Sequence, residues 1–185
     1  MTYRILAVAG SLRAASLNRG VLRAAHLLAP TGMSIQIYDA LAALPPFNPD
    51  LDQDAPPAAV RHWRAALATA DAILIASPEY AFGVPGVLKN ALDWVVSSGE
   101  FVNKPTAVVT ASSSSAGGDK ANAALVQTLR VMTATIDDQA ILTIAQAGKH
   151  FTPDGQPLQA ESGNKLQAVL QVLSAGIASA RKEVA

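Results

Sequence analysis

Two runs in the middle of the chain, Ala72-Ile73-Leu74-Ile75-Ala76 and Thr106-Ala107-Val108-Val109-Thr110, show none of the polar alternation of a strand with one wet face. Continuous apolar runs of this length, bounded by turn residues, read as strands buried on both sides. Such strands belong to parallel sheets, because crossover helices are what cover the two faces. The rest of the chain supplies those helices. Strand-like runs fall at 3–9, 34–39, 71–77, 104–111 and 139–145, and helical patterns fill 17–29, 57–70, 84–97, 119–133 and 160–182. The alternation predicts an α/β three-layer sandwich, a five-stranded parallel sheet with helices on both faces.

Five strands in one layer suit the flavodoxin-like order 2-1-3-4-5 better than a six-stranded Rossmann sheet. With 185 residues and no repeat or second composition regime, residues 1–185 read as a single domain. Charged residues make up only 15% of the chain and hydrophobic residues 50%, which points to a well-covered sheet and to subunit contacts. Residues 42–58 hold too many Pro and Asp for a helix and read as a long surface cover; residues 150–157 read as a turn.

Composition also removes function classes. Fourteen basic residues balance 14 acidic ones without any Lys or Arg run, so nucleic acid has no backbone track to follow. No apolar stretch approaches a membrane span, and the 3–9 run lacks a signal-peptide layout, so the expected home is the cytoplasm. The absence of cysteine excludes disulfides, thiol catalysis and thiolate metal sites. His26, His62 and His150 stand far apart with no ligand spacing, and no metal is expected. Redox chemistry in this chain would need a bound cofactor.

In the 2-1-3-4-5 order, ligands gather at the carboxyl ends of the strands, between strands 1 and 3. The three loops expected on that rim are the least ordinary segments of the chain. The first, Gly10-Ser11-Leu12-Arg13-Ala14-Ala15-Ser16, leads into a helix starting at Leu17-Asn18. A helix N-terminus with hydroxyl donors and an arginine is an anion site, and the expected guest is a phosphate. Ser16 or Asn18 acting only as a helix cap is the alternative. Neither G-x-x-x-x-G-K-[ST] nor G-x-G-x-x-G occurs, which argues against an ordinary ATPase or dinucleotide-binding domain. The second loop begins Ser77-Pro78-Glu79-Tyr80-Ala81-Phe82-Gly83 and offers aromatic surface and exposed peptide groups to a flat ring. The third, Ser112-Ser113-Ser114-Ser115-Ala116-Gly117-Gly118, can lie close over the same ligand or serve as a flexible connector. The candidate binding positions are therefore Ser11, Arg13, Ser16, Leu17, Asn18, Pro78, Glu79, Tyr80, Ala81, Phe82, Ser114, Gly117 and Gly118.

Gly10-Ser11-Leu12-Arg13 with Ser16 and Asn18, then Pro78-Glu79-Tyr80 followed by Pro85-Gly86-Val87-Leu88-Lys89-Asn90-Ala91-Leu92-Asp93, resemble the NAD(P)H-dependent FMN reductases, which include bacterial quinone, chromate and azo-dye reductases. The resemblance spans nearly the whole chain. It implies that Ser11, Arg13, Ser16 and Asn18 hold the FMN phosphate, that Pro78, Glu79 and Tyr80 run along the isoalloxazine, and that Ser114 to Gly118 close its other edge. It further implies NADPH or NADH as donor and a quinone, free flavin, chromate or azo compound as acceptor, in ping-pong turnover with the flavin carrying the chemistry and no side chain as catalyst. The chain departs from the family pattern at Ala81, where Asn is usual, and at Asp119-Lys120 after the glycine pair. Lys89 and Asp93, four apart, are expected to form a local ion pair.

Three other functions compete. A flavodoxin-type electron carrier shares the fold and flavin but is commonly strongly acidic, unlike this neutral chain. A serine hydrolase would need G-x-S-x-G and an acid–histidine set, and a phosphorylated receiver would need clustered acids after strand 1; the sequence has neither. Finally, the 84–97 segment is apolar around most of its circumference, so it is expected to sit in the interface of a homodimer or tetramer.

Overall fold

The computed structural model describes residues 2–183. Five parallel strands, β1 (Tyr3–Ala9), β2 (Met33–Tyr38), β3 (Ala72–Ser77), β4 (Thr106–Ala111) and β5 (Ile141–Ile144), form one sheet in the order β2-β1-β3-β4-β5. Five helices join and cover them: α1 (Leu17–Leu27), α2 (Ala58–Thr69), α3 (Gly86–Asp93), α4 (Asp119–Val131) and α5 (Ala160–Glu183). Because successive side chains of a strand point to opposite faces, each central strand feeds two cores. Ala72, Leu74 and Ala76 of β3 join Val21 and Leu22 of α1 and Leu166 and Leu170 of α5. Ile73 and Ile75 join Trp63 of α2, Leu88 and Leu92 of α3 and Leu125 of α4. All six residues of β3 and all six of β4 are buried, as their unbroken apolar runs require.

The 84–97 segment departs from expectation in two ways. Regular helix ends at Asp93, with turns following through Ser98. Most of its apolar circumference packs within the protomer, where Trp94 and Val95 are wholly inaccessible, while Val96 stays 61% exposed. The proline-rich segment 41–57 forms the cover, with short 3-10 turns at Leu41–Ala43 and Pro49–Leu51. Pro45 O accepts from Trp94 Nε1 at 2.8 Å and from Asn90 Nδ2 at 2.9 Å, while Phe47 meets the Trp94 ring edge-on at 5.1 Å. Arg64 of α2 clamps the same layer, donating to Trp94 O and to Asp52 at 2.6 Å each. Lys89 and Asp93 form the expected i,i+4 pair.

At the amino ends of the strands, Asp71 accepts from Arg4 N at 2.7 Å and from the Arg181 guanidinium at 2.9 Å. Partial burial opposes its charge, but these donors outweigh that cost and hold the carboxyl below the ordinary Asp range. Among the described residues no helix is long and apolar enough to cross a membrane.

Candidate functional site

The carboxyl ends of β1, β3 and β4, adjacent in the sheet, carry the three loops singled out in the sequence. Concavities also lie elsewhere, one of about 630 Å³ beside Tyr38 and His62 and one of about 500 Å³ between α3 and α4. Neither gathers unpaired polar groups at a strand-order reversal, and the rim does.

Ser16 caps α1, its hydroxyl accepting from Arg19 N at 3.4 Å. Ser11 is buried; its Oγ accepts from Arg13 N at 3.3 Å and lies 3.2 Å from the Tyr80 hydroxyl. The turn therefore folds around its own hydroxyls. The N–H groups of Leu12, Ala14, Ala15, Leu17 and Asn18 find no protein acceptor among the described residues. Unpaired amides at a helix start, with the exposed Arg13 guanidinium beside them, are the donor set an anion requires. Arg19, by contrast, is engaged with Asp39. Leu17 is half-buried against the α1–α5 core.

Asn18 is placed differently from a free donor. It is 2% exposed and uses both ends of its amide on one peptide, giving Nδ2–H to Ala111 O at 2.9 Å and accepting from Ala111 N at 3.1 Å. It locks the start of α1 to the end of β4. Gly20, two residues further on, leaves room for the 150–157 turn: a Cβ there would meet Thr152 O at 2.5 Å.

Glu79 also braces the rim. Its carboxylate accepts from Ala121 N at 2.9 Å, in the first turn of α4, where a negative charge complements the helix dipole. Gly118 precedes α4 at φ +83°, and a Cβ there would lie 3.3 Å from Glu79 Cβ. Gly117 is likewise left-handed, at φ +69°. Ser114 is exposed, bonded to Ser112 Oγ at 3.0 Å, and its carbonyl accepts from Gln146 N at 2.9 Å. The loop after β5 thus supports the third loop, a role for Ala145, Gln146 and Ala147 that nothing in their residue types announces.

Pro78 is half-buried at the end of β3, and beyond Tyr80 the chain reverses. Tyr80 and Gly83 exchange two backbone bonds, of 3.1 and 3.0 Å, around Ala81 at φ +49° and Phe82 at φ +60°. Two positive φ values between paired bonds define a type I′ reversal, the turn that favours Asn-Gly. Ala81 replaces an Asn expected from the resemblance, and Asn enters the left-handed region more readily than Ala. Phe82 is 78% exposed and Tyr80 54%.

An open parallel sheet with a phosphate-type helix start and two further loops tied over its switch point defines a flavodoxin-like nucleotide-binding protein. Residues 3–149 match the model of the NADPH-dependent FMN reductases, and the chain belongs to that family. It is 36% identical over 172 residues to an NAD(P)H-dependent FMN reductase of Pseudomonas aeruginosa, covering 92% of both chains. A quinone reductase of Pseudomonas putida is 40% identical over 130 residues, 69% of each chain. Among solved structures, the NAD(P)H:(acceptor) oxidoreductase FerB of Paracoccus denitrificans superposes with a TM-score of 0.87 at 26% identity, covering 96% of this chain and 98% of that one.

Proposed function

We propose that the chain binds FMN on the β1–β3–β4 rim and uses it to oxidise NAD(P)H, passing the electrons to small acceptors. The single observation that carries this reading is the set of three ties holding the rim together: Ser11 to Tyr80, Asn18 to Ala111 and Glu79 to Ala121. They fix the loops on three sides of one platform, with a donor nest at one end. In this reading the phosphate sits at the start of α1 on the free N–H groups, with Ser11, Arg13 and Ser16 around it. Asn18 holds that nest in register with β4. Pro78, Glu79 and Tyr80 present peptide groups along the isoalloxazine, and Ala81, Ser114, Gly117 and Gly118 approach its edges.

When bound, FMN would supply the two-electron redox chemistry that links NAD(P)H to an acceptor. The protein's part is position and exclusion of water, without a side-chain acid or base. Quinones, free flavin, chromate and azo compounds are the acceptors proposed. An open rim that serves donor and acceptor in turn gives ping-pong kinetics. Steady NADPH oxidation by the FMN-loaded protein with a quinone is the test. Flavin binding without NAD(P)H oxidation would identify an electron carrier instead.

A second copy of the chain is proposed to cover the face between α3 and α4, where Val96, Val102 and Val131 are 61%, 53% and 78% exposed around the 500 Å³ concavity. Sedimentation of the wild type and of Val131→Asp tests this, since a wild-type monomer at micromolar concentration contradicts it. Trp94, being internal, cannot serve as the probe.

A further inference from the structure

The turn at Ala81–Phe82 is costly and unexplained by the fold. Both residues occupy the left-handed region, which L side chains avoid. Phe82 joins neither hydrophobic core and keeps 78% of its surface exposed, so packing does not offset that cost. Strain of this kind persists where a site over-determines it, commonly at ligand clamps. Three anchors hold the turn: Glu79 is tied to α4, Tyr80 is tied to Ser11, and the turn closes on paired Tyr80–Gly83 bonds. Phe82 follows two residues after Tyr80, whose hydroxyl reaches Ser11, and the paired Tyr80–Gly83 bonds fix its backbone. Leu12, 55% exposed, is chain neighbour to the Ser11 that bonds Tyr80.

From this arrangement we infer that Phe82 is a specificity-determining residue: its ring is the platform on which a flat aromatic acceptor stacks as it enters the site. The inference rests on the reductase reading above and moves Phe82 from the cofactor's surroundings to the acceptor's. A benzenoid face gives offset stacking to planar rings and nothing comparable to a compact, hydrated inorganic anion. Quinone-class acceptors are therefore favoured over ferricyanide- or chromate-class ones. The reaction balances with reactants already named: a quinone becomes a hydroquinone by taking two electrons and one proton as the hydride equivalent of NADPH, and a second proton from solvent.

The test compares the FMN-loaded wild type with Phe82→Ala and Phe82→Trp. Alanine keeps the same backbone demand at φ +60°, so the comparison isolates the ring. Phe82→Ala is expected to lower the ratio of kcat/KM for a naphthoquinone to kcat/KM for ferricyanide by about three- to tenfold, the range stacking supports, and Phe82→Trp is expected to restore it. FMN affinity, measured by titration of the apoprotein, is expected to stay within about twofold of wild type. In Phe82→Trp, the exposed indole is expected to be quenched by the naphthoquinone without NADPH, whereas the internal Trp63 and Trp94 of the wild type are not. An unchanged acceptor ratio overturns the inference, as does a loss of FMN affinity matching the loss of activity, which returns Phe82 to the cofactor. Failure of the wild type to oxidise NADPH with either acceptor strikes the reductase reading instead.

Discussion

Ala81 offers a substitution whose sign reverses the usual rule. At an ordinary exposed site Ala→Gly destabilises a protein, because glycine adds freedom to the unfolded chain, by about 0.4–1 kcal/mol. At φ +49° the native conformation itself costs an alanine roughly 1–2 kcal/mol that glycine escapes. The relief exceeds the entropic loss, so Ala81→Gly is expected to stabilise the apoprotein by about 0.5–1 kcal/mol. For a domain of this size that raises Tm by about 1–4 °C. Ala81→Asn, which tolerates the left-handed region without glycine's entropic loss, is expected to do at least as well. Ala81→Val, β-branched, is expected to lose about 1 kcal/mol or more. Urea unfolding at constant m separates these outcomes as shifts in midpoint. Destabilisation by glycine with a neutral valine is the signature of negative φ, and would refute both the turn type and the strain invoked for Phe82.

Three further expectations follow from contacts described above. Arg13→Ala should weaken FMN about tenfold, the low end for a charge-assisted bond at an exposed site, and leave riboflavin binding unaltered; equal losses on calorimetric titration would remove Arg13 from the phosphate. Asn18→Ala should cost about 1–3 kcal/mol in urea unfolding, because it removes two buried hydrogen bonds to the Ala111 peptide, and a loss under about 0.5 kcal/mol would refute the brace. Asp71 has a lowered carboxyl pKa in the folded state, so its stabilisation is complete above the unfolded value of about 4 and is lost as pH falls through the folded value. The stability gap between wild type and Asp71→Asn should therefore be wide at pH 7 and close progressively below about pH 4, and a pH-independent gap would contradict the assignment.

The strands were legible because burial on both faces writes itself into composition: the apolar runs at 72–76 and 106–110 lie inside β3 and β4, and the order follows from the number of strands and their helical crossovers. What was not legible depends on partners distant in sequence. Asn18 reads as a phosphate donor, and nothing in the sequence tells that its amide also donates to and accepts from Ala111, 93 residues away. Glu79 reads as a ring neighbour, and its residue type does not tell that its carboxylate accepts from Ala121 N, 42 residues on. In the apolar girth of 84–97, periodicity cannot tell Trp94, over which the 41–57 segment folds back, from Val96, which stays exposed. The Ala81–Phe82 reversal is hidden for another reason: neither residue type advertises the conformation it adopts.

Calorimetric titration of the apoprotein with FMN, riboflavin and FAD shows whether the helix-start nest selects a flavin by its terminal phosphate. FMN is expected to bind the tightest, and about tenfold or more better than riboflavin, since a charge-assisted contact to phosphate is worth roughly 1.5–3 kcal/mol. Equal affinity for FMN and riboflavin, or a preference for FAD, would contradict that selection.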